Sequence, residues 1–294
     1  MRVIDIYSKD GSKTIRAAVI GTCRLANPLN KLSGFEGAET DGVKVIWGHS
    51  GFTHSIHDAI QWISLIKNEK VTPKGFYQLI FGTTFEESKG TDTKERFQKG
   101  LELLGTCDVL MIELSSNKRV YTNEFDLNSN YLTNNFIRPG GLPVLNWWSA
   151  ICKGEKYTSS QIKDTMEHMN KLELFTKKEI KTILSECKVT IDLNADLLNS
   201  INKLNSELND LECAIIVNPD PSYSDVSKFL TEELRKNDEI RYLDPNTLIK
   251  KHELSEVFMG DGKDKNHYNK DFNRVVGEHI REFIFSKNKI QSDF

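Results

Sequence analysis

The chain has 294 residues, of which 28% are charged and 38% apolar, and its formal net charge is −3. This balance is typical of globular proteins and argues against a disordered or membrane-embedded chain. A weakly acidic protein has no general attraction for nucleic acid or for an anionic membrane, so we expect neither as a partner.

Short apolar runs rich in Val, Ile and Leu predict buried strands. In chain order these runs are RVIDIY (2–7), IRAAVIG (15–21), CDVLMIEL (107–114), LECAIIV (211–217) and IRYLD (240–244). Stretches with helical spacing lie between them, such as HDAIQWISLIKN and DTKERFQKGLELLG. This alternation predicts an α/β fold, a three-layer sandwich in which helices cover both faces of a mostly parallel sheet.

The segment 152–210 differs in composition, because most of it is rich in Lys and Glu and has helical spacing. Thr176 stands three residues before Glu179, which is the spacing of a capping box. The segment is either an inserted helical subdomain or a set of long crossover helices. Since no linker rich in Pro, Gly or Ser and no internal repeat interrupts the sequence, we predict a single domain over 1–294.

The N-terminus, MRVIDIYSKDGSK, becomes charged before an apolar signal core is complete, and no apolar run approaches the roughly 18 residues of a membrane span. We therefore expect a cytoplasmic protein.

The five cysteines are far apart and form no C-x-x-C pair, so neither a disulfide framework nor a zinc ribbon is predicted. Apart from Cys23, they have the pattern of ordinary buried thiols.

Cys23 directly follows the strand IRAAVIG, in the sequence Gly21-Thr22-Cys23-Arg24. In open α/β sheets, ligands bind beyond the carboxyl ends of the strands. A cysteine at the start of the next helix is close to the positive helix N-terminus and to Arg24, and both favour the thiolate. The alternative is a buried cysteine that only ends a strand.

Polar residues follow other elements at the same predicted edge. Ser115, Ser116 and Asn117 come after CDVLMIEL, where small hydroxyl and amide groups can donate to a developing oxyanion or can simply form a turn. Near the C-terminus, Asp264 and His267 lie three residues apart in a polar loop. A histidine held by a carboxylate is the base that a nucleophile requires.

A histidine cluster lies in WGHSGFTHSIHD, which contains His49, His54 and His57. Metal binding is the weaker interpretation, because no H-E-x-x-H motif or arranged carboxylate accompanies these residues. We predict no metal, and we expect this stretch to form a substrate-lining loop or the start of a helix.

Three of these motifs occur in the order found in a known superfamily. VIGTCR after a strand, DVLMIELSSN in the middle and DKNHYN near the end resemble the first, third and last blocks of the SGNH/GDSL hydrolases. The cysteine in the first block is similar to that of GSCFA-type proteins and, more distantly, of a capsule-biosynthesis acyltransferase-like family. The resemblance extends from Val19 to Asn269 and implies an SGNH-like fold, which is flavodoxin-like.

The resemblance also implies roles for individual residues. Cys23 takes the position of the nucleophile, His267 that of the base and Asp264 that of the acid that orients the base. The Cys23 amide and Asn117 correspond to the oxyanion donors, and Gly51 is the counterpart of the glycine in the second block.

The sequence departs from the SGNH pattern at two points. Thr22-Cys23 replaces the usual Asp-Ser, so serine-esterase chemistry does not transfer directly. Glu113 and Ser115 occupy positions that are normally apolar and glycine, respectively.

The implied reaction is acyl transfer from an ester or thioester, by an acyltransferase or esterase that acts on sugar hydroxyls of a surface polysaccharide. We expect no bound cofactor, with acyl-CoA as a possible donor and a small molecule or saccharide as the substrate. The alternative is a non-catalytic ligand-binding or assembly module that retains the fold. Residues predicted to line the substrate site are Arg24, Ser115, Ser116, His49, His54, Arg138 and Trp147.

Overall fold

The computed structural model describes most of the chain. The described residues are 2–32, 42–48, 55–66, 79–80, 93–114, 116–123, 125–169, 175–207, 212–217, 232, 234–236 and 241–286.

The strands that form the main sheet are β1 (Arg2–Tyr7), β2 (Thr14–Ile20), β3 (Val43–Gly48), β4 (Val109–Leu114), β7 (Glu212–Val217) and β8 (Arg241–Leu243). Two smaller ribbons consist of β5 (Lys118–Tyr121) with β6 (Lys188–Ile191), and of β9 (Phe258–Met259) with β10 (Asp264–Tyr268). The five strands predicted from apolar runs are confirmed, whereas β3 and both ribbons were not predicted.

The helices before residue 155 are α1 (Cys23–Leu32), α2 (Ile56–Ile66), α3 (Thr93–Leu104), α4 (Ser129–Leu132), which continues as a π-helical turn (Thr133–Ile137), and α5 (Gly141–Cys152). The later helices are α6 (Ser159–Met169), α7 (Lys177–Glu186), α8 (Asn194–Glu207), α9 (Asn246–Ile249), α10 (Leu254–Val257) and α11 (Lys270–Phe285). The predicted capping box is confirmed, because Thr176 and Glu179 exchange hydrogen bonds at the start of α7.

The main sheet has the strand order β3-β1-β2-β4-β7-β8. β1 is antiparallel to both of its neighbours, and the pairs β2–β4, β4–β7 and β7–β8 are parallel. The α/β class is therefore confirmed with a mixed sheet, in which β1 runs opposite to the other strands. If β1 is left out and the other strands are renumbered along the chain, the order of the sheet becomes 2-1-3-4-5. The switch point of this order lies between β2 and β4, and ligands bind at such switch points.

Apolar side chains cover both faces of this sheet. On one face, Ala18 and Leu110 belong to a core that also contains side chains of α2 and α5. On the other face, Ala17 and Met111 pack with side chains of α1 and α11. Helices α6 to α8, from the segment 152–210, contribute to the first core. The interpretation of this segment as insertion or crossover, and of 1–294 as one domain, stays a prediction.

Helix α11 packs closely along α1 because Gly277 faces it without a side chain. A Cβ atom at this position would lie 2.5 Å from the Pro28 carbonyl oxygen and 3.1 Å from Leu32 Cγ. Asn269 begins α11, where its Oδ1 accepts a hydrogen bond from Phe272 N at 2.8 Å. This contact fixes the position of β10, which directly precedes the helix.

We expect Gly277→Ala to destabilise the protein. Alanine favours a helix by about 1 kcal/mol over glycine, but here the two helices would have to separate, and such overpacking costs about 1–3 kcal/mol. Chemical denaturation should therefore give a lower free energy of unfolding. Gly105→Ala is the matched control, because its nearest contact would be an ordinary 3.6 Å to the Glu102 carbonyl oxygen. An equal loss in both variants would contradict the packing argument.

Candidate functional site

The turn from Gly21 to Cys23, here called the Cys23 turn, joins β2 to α1 at the switch point. Thr22 begins the helix, since its carbonyl oxygen accepts from Ala26 N at 3.0 Å and its Oγ1 accepts from Arg24 N at 3.2 Å. Threonine is a favoured residue for this capping position. Cys23 is the first residue of α1, as the sequence predicted.

Glu113, near the end of β4, is the residue that holds the Cys23 turn. Its side chain is 0% exposed. Oε2 accepts hydrogen bonds from Thr22 N at 2.6 Å and from Thr22 Oγ1 at 2.8 Å, and Oε1 lies 2.6 Å from Thr22 Oγ1. A Cβ atom on Gly21 would lie 2.7 Å from Glu113 Cβ, so glycine is required for this approach.

In the sequence, Glu113 stands out only as a departure from the SGNH pattern, and no role is predicted for it. The sequence does contain a signal for a structural role of Glu113: it is an acidic residue within an apolar strand, and such a residue must be paired when it is buried. Its partner, Thr22, lies 91 positions away in the sequence, in the turn after β2, and β2 becomes the neighbour of β4 only after folding.

The Cys23 thiol is half-buried and unpaired with any other cysteine. Burial raises its pKa, and the Glu113 carboxylate raises it further. The Arg24 guanidinium and the backbone N–H groups of Cys23 and Arg24 oppose this shift, but the net pKa is raised. The helix start and Arg24 do favour the thiolate, as the sequence predicted, but burial and the Glu113 carboxylate outweigh them, so the net pKa of Cys23 is raised.

Arg24 was predicted to meet an anionic substrate. Its side chain is 12% exposed, and Nε lies 3.8 Å from Glu113 Oε1. A cation in this position compensates the buried carboxylate, so its contact is internal. The geometry assigns Arg24 to the support of the Cys23 turn.

Tyr268, the last residue of β10, is buried and interacts with groups of the Cys23 turn. Its side chain is 3% exposed, and β10 packs against α1. Burial raises the pKa of the Tyr268 hydroxyl, with smaller contributions from Glu113, Asp244 and Cys23 that Arg24 opposes. These effects show that Tyr268 lies within electrostatic range of the candidate nucleophile.

Asp264 and His267 form the predicted pair. His267 Nδ1 lies 2.9 Å from Asp264 Oδ2, and the two side chains are 45% and 42% exposed. This contact fixes a proton on Nδ1, which leaves Nε2 as the nitrogen that can accept one. The pair is on β10, next to Tyr268, and not in a loop as the sequence predicted.

Asn117 lies beyond β4 and contacts a second histidine–carboxylate pair. Its Nδ2 donates to the Asp192 carbonyl oxygen at 3.4 Å, and Asp192 N donates to the Asn117 carbonyl oxygen at 2.9 Å. The Asp192 carboxylate in turn lies 2.7 Å from His57 Nε2. Both side chains of this pair are largely buried. The sequence placed His57 in a histidine cluster and did not predict Asp192 as its partner.

The remaining predicted residues divide into described and undescribed positions. Ser116 Oγ accepts from Lys118 N at 3.0 Å and so stabilises the turn before β5. Arg138 follows the π-helical turn, and its Nη1 donates to Asn134 Oδ1 at 3.0 Å. Four predicted site residues lie outside the described residues, namely Gly51, Ser115, His49 and His54.

Trp147 is not a substrate-stacking residue. Its side chain is 0% exposed, its Nε1 donates to the Leu184 carbonyl oxygen at 3.1 Å, and its ring packs on Phe136. The indole is therefore part of the core, and the prediction of a stacking wall is wrong for this residue. The adjacent Trp148 is partly exposed, and Lys118 Nζ lies 4.8 Å from its ring centroid.

Two further observations concern the described part of the chain as a whole. No helix within it is long and apolar enough to cross a membrane. Among the same residues, no three His, Cys, Asp or Glu side chains are grouped as metal ligands.

The cysteines other than Cys23 were predicted to be buried, but Cys152, the last residue of α5, is exposed.

Comparisons with known proteins give one match. No curated protein and no solved structure matches the chain. A family model, described as the TviD N-terminal domain, matches residues 15–283, which include Cys23, Glu113 and the Asp264–His267 pair. TviD is a protein of Vi capsule polysaccharide biosynthesis, which links the chain to that process. The chain belongs to the family of TviD N-terminal domains.

Proposed function

We propose that this chain is an SGNH-like enzyme that transfers an acyl group to a sugar hydroxyl during capsule polysaccharide biosynthesis. Cys23 is the nucleophile, His267 the base and Asp264 the residue that orients the base. The proposal depends most on one observation: Cys23 begins the helix at the switch point of the sheet, and that helix packs against the strand that carries the Asp264–His267 pair.

In the first half of the reaction, His267 Nε2 removes the proton from the Cys23 thiol. The thiolate attacks the carbonyl carbon of an acyl-CoA thioester, and a tetrahedral intermediate forms. When this intermediate collapses, the bond to the CoA sulfur breaks, and the leaving thiolate takes the proton from His267. Cys23 then carries the acyl group as a thioester, which is close in energy to the donor.

In the second half, the sugar hydroxyl gives its proton to His267 as its oxygen attacks the Cys23 thioester. Collapse of the new intermediate forms the sugar ester, and the Cys23 sulfur leaves and regains the proton. Asp264 holds the imidazole through Nδ1 in both halves. Water as the acceptor in the same step would make the enzyme an esterase.

The oxyanion in both intermediates requires hydrogen-bond donors. We assign this role to the Cys23 amide and the Asn117 side chain. The bond from Asn117 Nδ2 to the Asp192 carbonyl oxygen is long, at 3.4 Å, so an anionic substrate oxygen is a competitive acceptor. The close contact between His57 and Asp192 keeps the segment opposite Asn117 in place.

The experiment that tests this proposal is capture of the acyl-enzyme. Incubation with short-chain acyl-CoA thioesters or p-nitrophenyl esters, without an acceptor, should add one acyl mass to the peptide that contains Cys23. Without its base, the His267→Ala variant should form this adduct about 10²-fold more slowly. His252→Ala is the matched control, because it removes a histidine 3.4 Å from Glu256, also on the surface.

Two outcomes would overturn the proposal. One is acylation of another cysteine in place of Cys23, and the other is adduct formation in His267→Ala at the rate of the unmodified protein. Either result would favour the non-catalytic alternative, a ligand-binding or assembly module, which is also consistent with the raised pKa of Cys23 and the exposed His267.

A further inference from the structure

The carboxylate of Glu113 lies at the N-terminus of α1, which is a position where a helix stabilises an anion. The first N–H groups of α1 carry the positive end of the helix dipole, and a thiolate on Cys23 would normally be stabilised there. Glu113 Oε2 accepts from Thr22 N at 2.6 Å, directly before Cys23, so a fixed carboxylate already binds at this end. A second negative charge at the same place is therefore disfavoured.

Glu113 also fixes the geometry of the Cys23 turn. Its hydrogen bonds to Thr22, together with the close approach of Gly21, hold both residues that precede Cys23. The side chain is 0% exposed, so water does not screen the charge. One residue thus controls the position of the Cys23 backbone and the electrostatic environment of its thiol.

We propose that Glu113 is a positioning residue that holds the Cys23 turn and keeps the nucleophile a neutral thiol until a base removes its proton. This inference rests on the proposed function, because it takes Cys23 as the nucleophile. It adds that the enzyme rests with an unreactive thiol, so that the activated form arises only when base and substrate are in place.

The charged and titratable groups that act on the thiol come from neighbouring elements of the fold. Glu113 on β4 disfavours the thiolate, and Arg24 on α1 favours it. Tyr268 on β10 interacts with Cys23, and Asp244 after β8 interacts in turn with Tyr268. Arg24 Nε lies 3.8 Å from Glu113 Oε1. Burial is the main cause of the raised pKa of Cys23, the Glu113 carboxylate adds to it, and Arg24 opposes it.

Glu113→Gln separates the charge of this side chain from its geometry. Since Oε2 accepts both bonds from Thr22, a glutamine carbonyl oxygen in that position can keep both. The rate of Cys23 alkylation by iodoacetamide, followed by peptide mass spectrometry, gives the pH midpoint of thiolate formation. We expect this midpoint to fall by about one pH unit in Glu113→Gln, the size of a single nearby charge effect.

Two controls make the result specific. Glu113→Asp keeps the charge and should leave the midpoint close to that of the unmodified protein. Asp108→Asn removes a carboxylate just before β4, at the opposite end of that strand, and should also leave it unchanged. An unchanged or higher midpoint in Glu113→Gln, or equal shifts in the Gln and Asp variants, would overturn the proposal.

A second variant, Arg24→Gln, tests the inference if Glu113→Gln does not fold. Arg24→Gln leaves the Glu113 charge without its cation, so the midpoint should rise, and an unchanged or lower value would contradict the proposal. Alkylation does not depend on turnover. Failure here would therefore leave the acyl-transfer proposal intact, whereas failure to acylate Cys23 would overturn that proposal without changing the electrostatic result.

Discussion

Cys23→Ala is expected to reduce acyl transfer by about 10³-fold or more, because the proposed covalent intermediate forms on the Cys23 sulfur. The variant should fold normally, since the Cys23 turn is held by Glu113 and Thr22 through atoms that the substitution leaves in place. Steady-state transfer from acyl-CoA to a saccharide acceptor, with unfolding measured in parallel, would separate loss of chemistry from loss of structure.

The matched control for this variant is Cys152→Ala. Cys152 is an exposed free cysteine at the end of α5, so its loss should leave activity unchanged. Cys23→Ser adds a second comparison: a hydroxyl keeps the position of the nucleophile but is harder to deprotonate, so activity between that of Cys23→Ala and the unmodified protein is expected. Full activity in Cys23→Ala would exclude covalent catalysis by this residue.

Trp147→Ala is expected to lower the free energy of unfolding by about 3–5 kcal/mol, the cost of removing a large aromatic side chain from a core. The indole is fully buried, packs on Phe136 with the ring centroids 5.8 Å apart, and donates to the Leu184 carbonyl oxygen. The variant would leave a cavity and an unpaired acceptor. Chemical or thermal denaturation measures the loss.

Trp148→Ala provides the contrast, because the neighbouring indole is partly exposed. It contacts Lys118 and Trp147, so we expect a smaller loss of about 1 kcal/mol or less. Similar losses in the two variants would show that the core and surface assignments of these tryptophans are wrong.

Apolar runs predicted five strands of the main sheet well, because a short run that contains Val, Ile or Leu marks each of them in the sequence. The ribbon of β9 and β10 was not predicted, since its strand DKNHY is mostly polar and contains no apolar run. The contact between Asp264 and His267, which lie three residues apart, was predicted from the sequence and is present in the structure.

Residues that are distant in the sequence required the structure. The pair His57–Asp192 joins positions 135 apart, and no periodicity connects them. The same applies to the tryptophans: adjacent in sequence, they point in different directions on α5, so only packing against Phe136 and Leu184 decides which one is buried.

The sequence by itself determined the α/β class, five strands of the main sheet, several helices, and the identity of Cys23, Asp264 and His267 as candidates, because these depend on local pattern and spacing. Only the tertiary structure decided the direction in which the pKa of Cys23 is shifted. That direction depends on burial and on Glu113, a charge brought to Thr22 from a neighbouring strand, and electrostatic effects follow distance in space rather than distance along the chain.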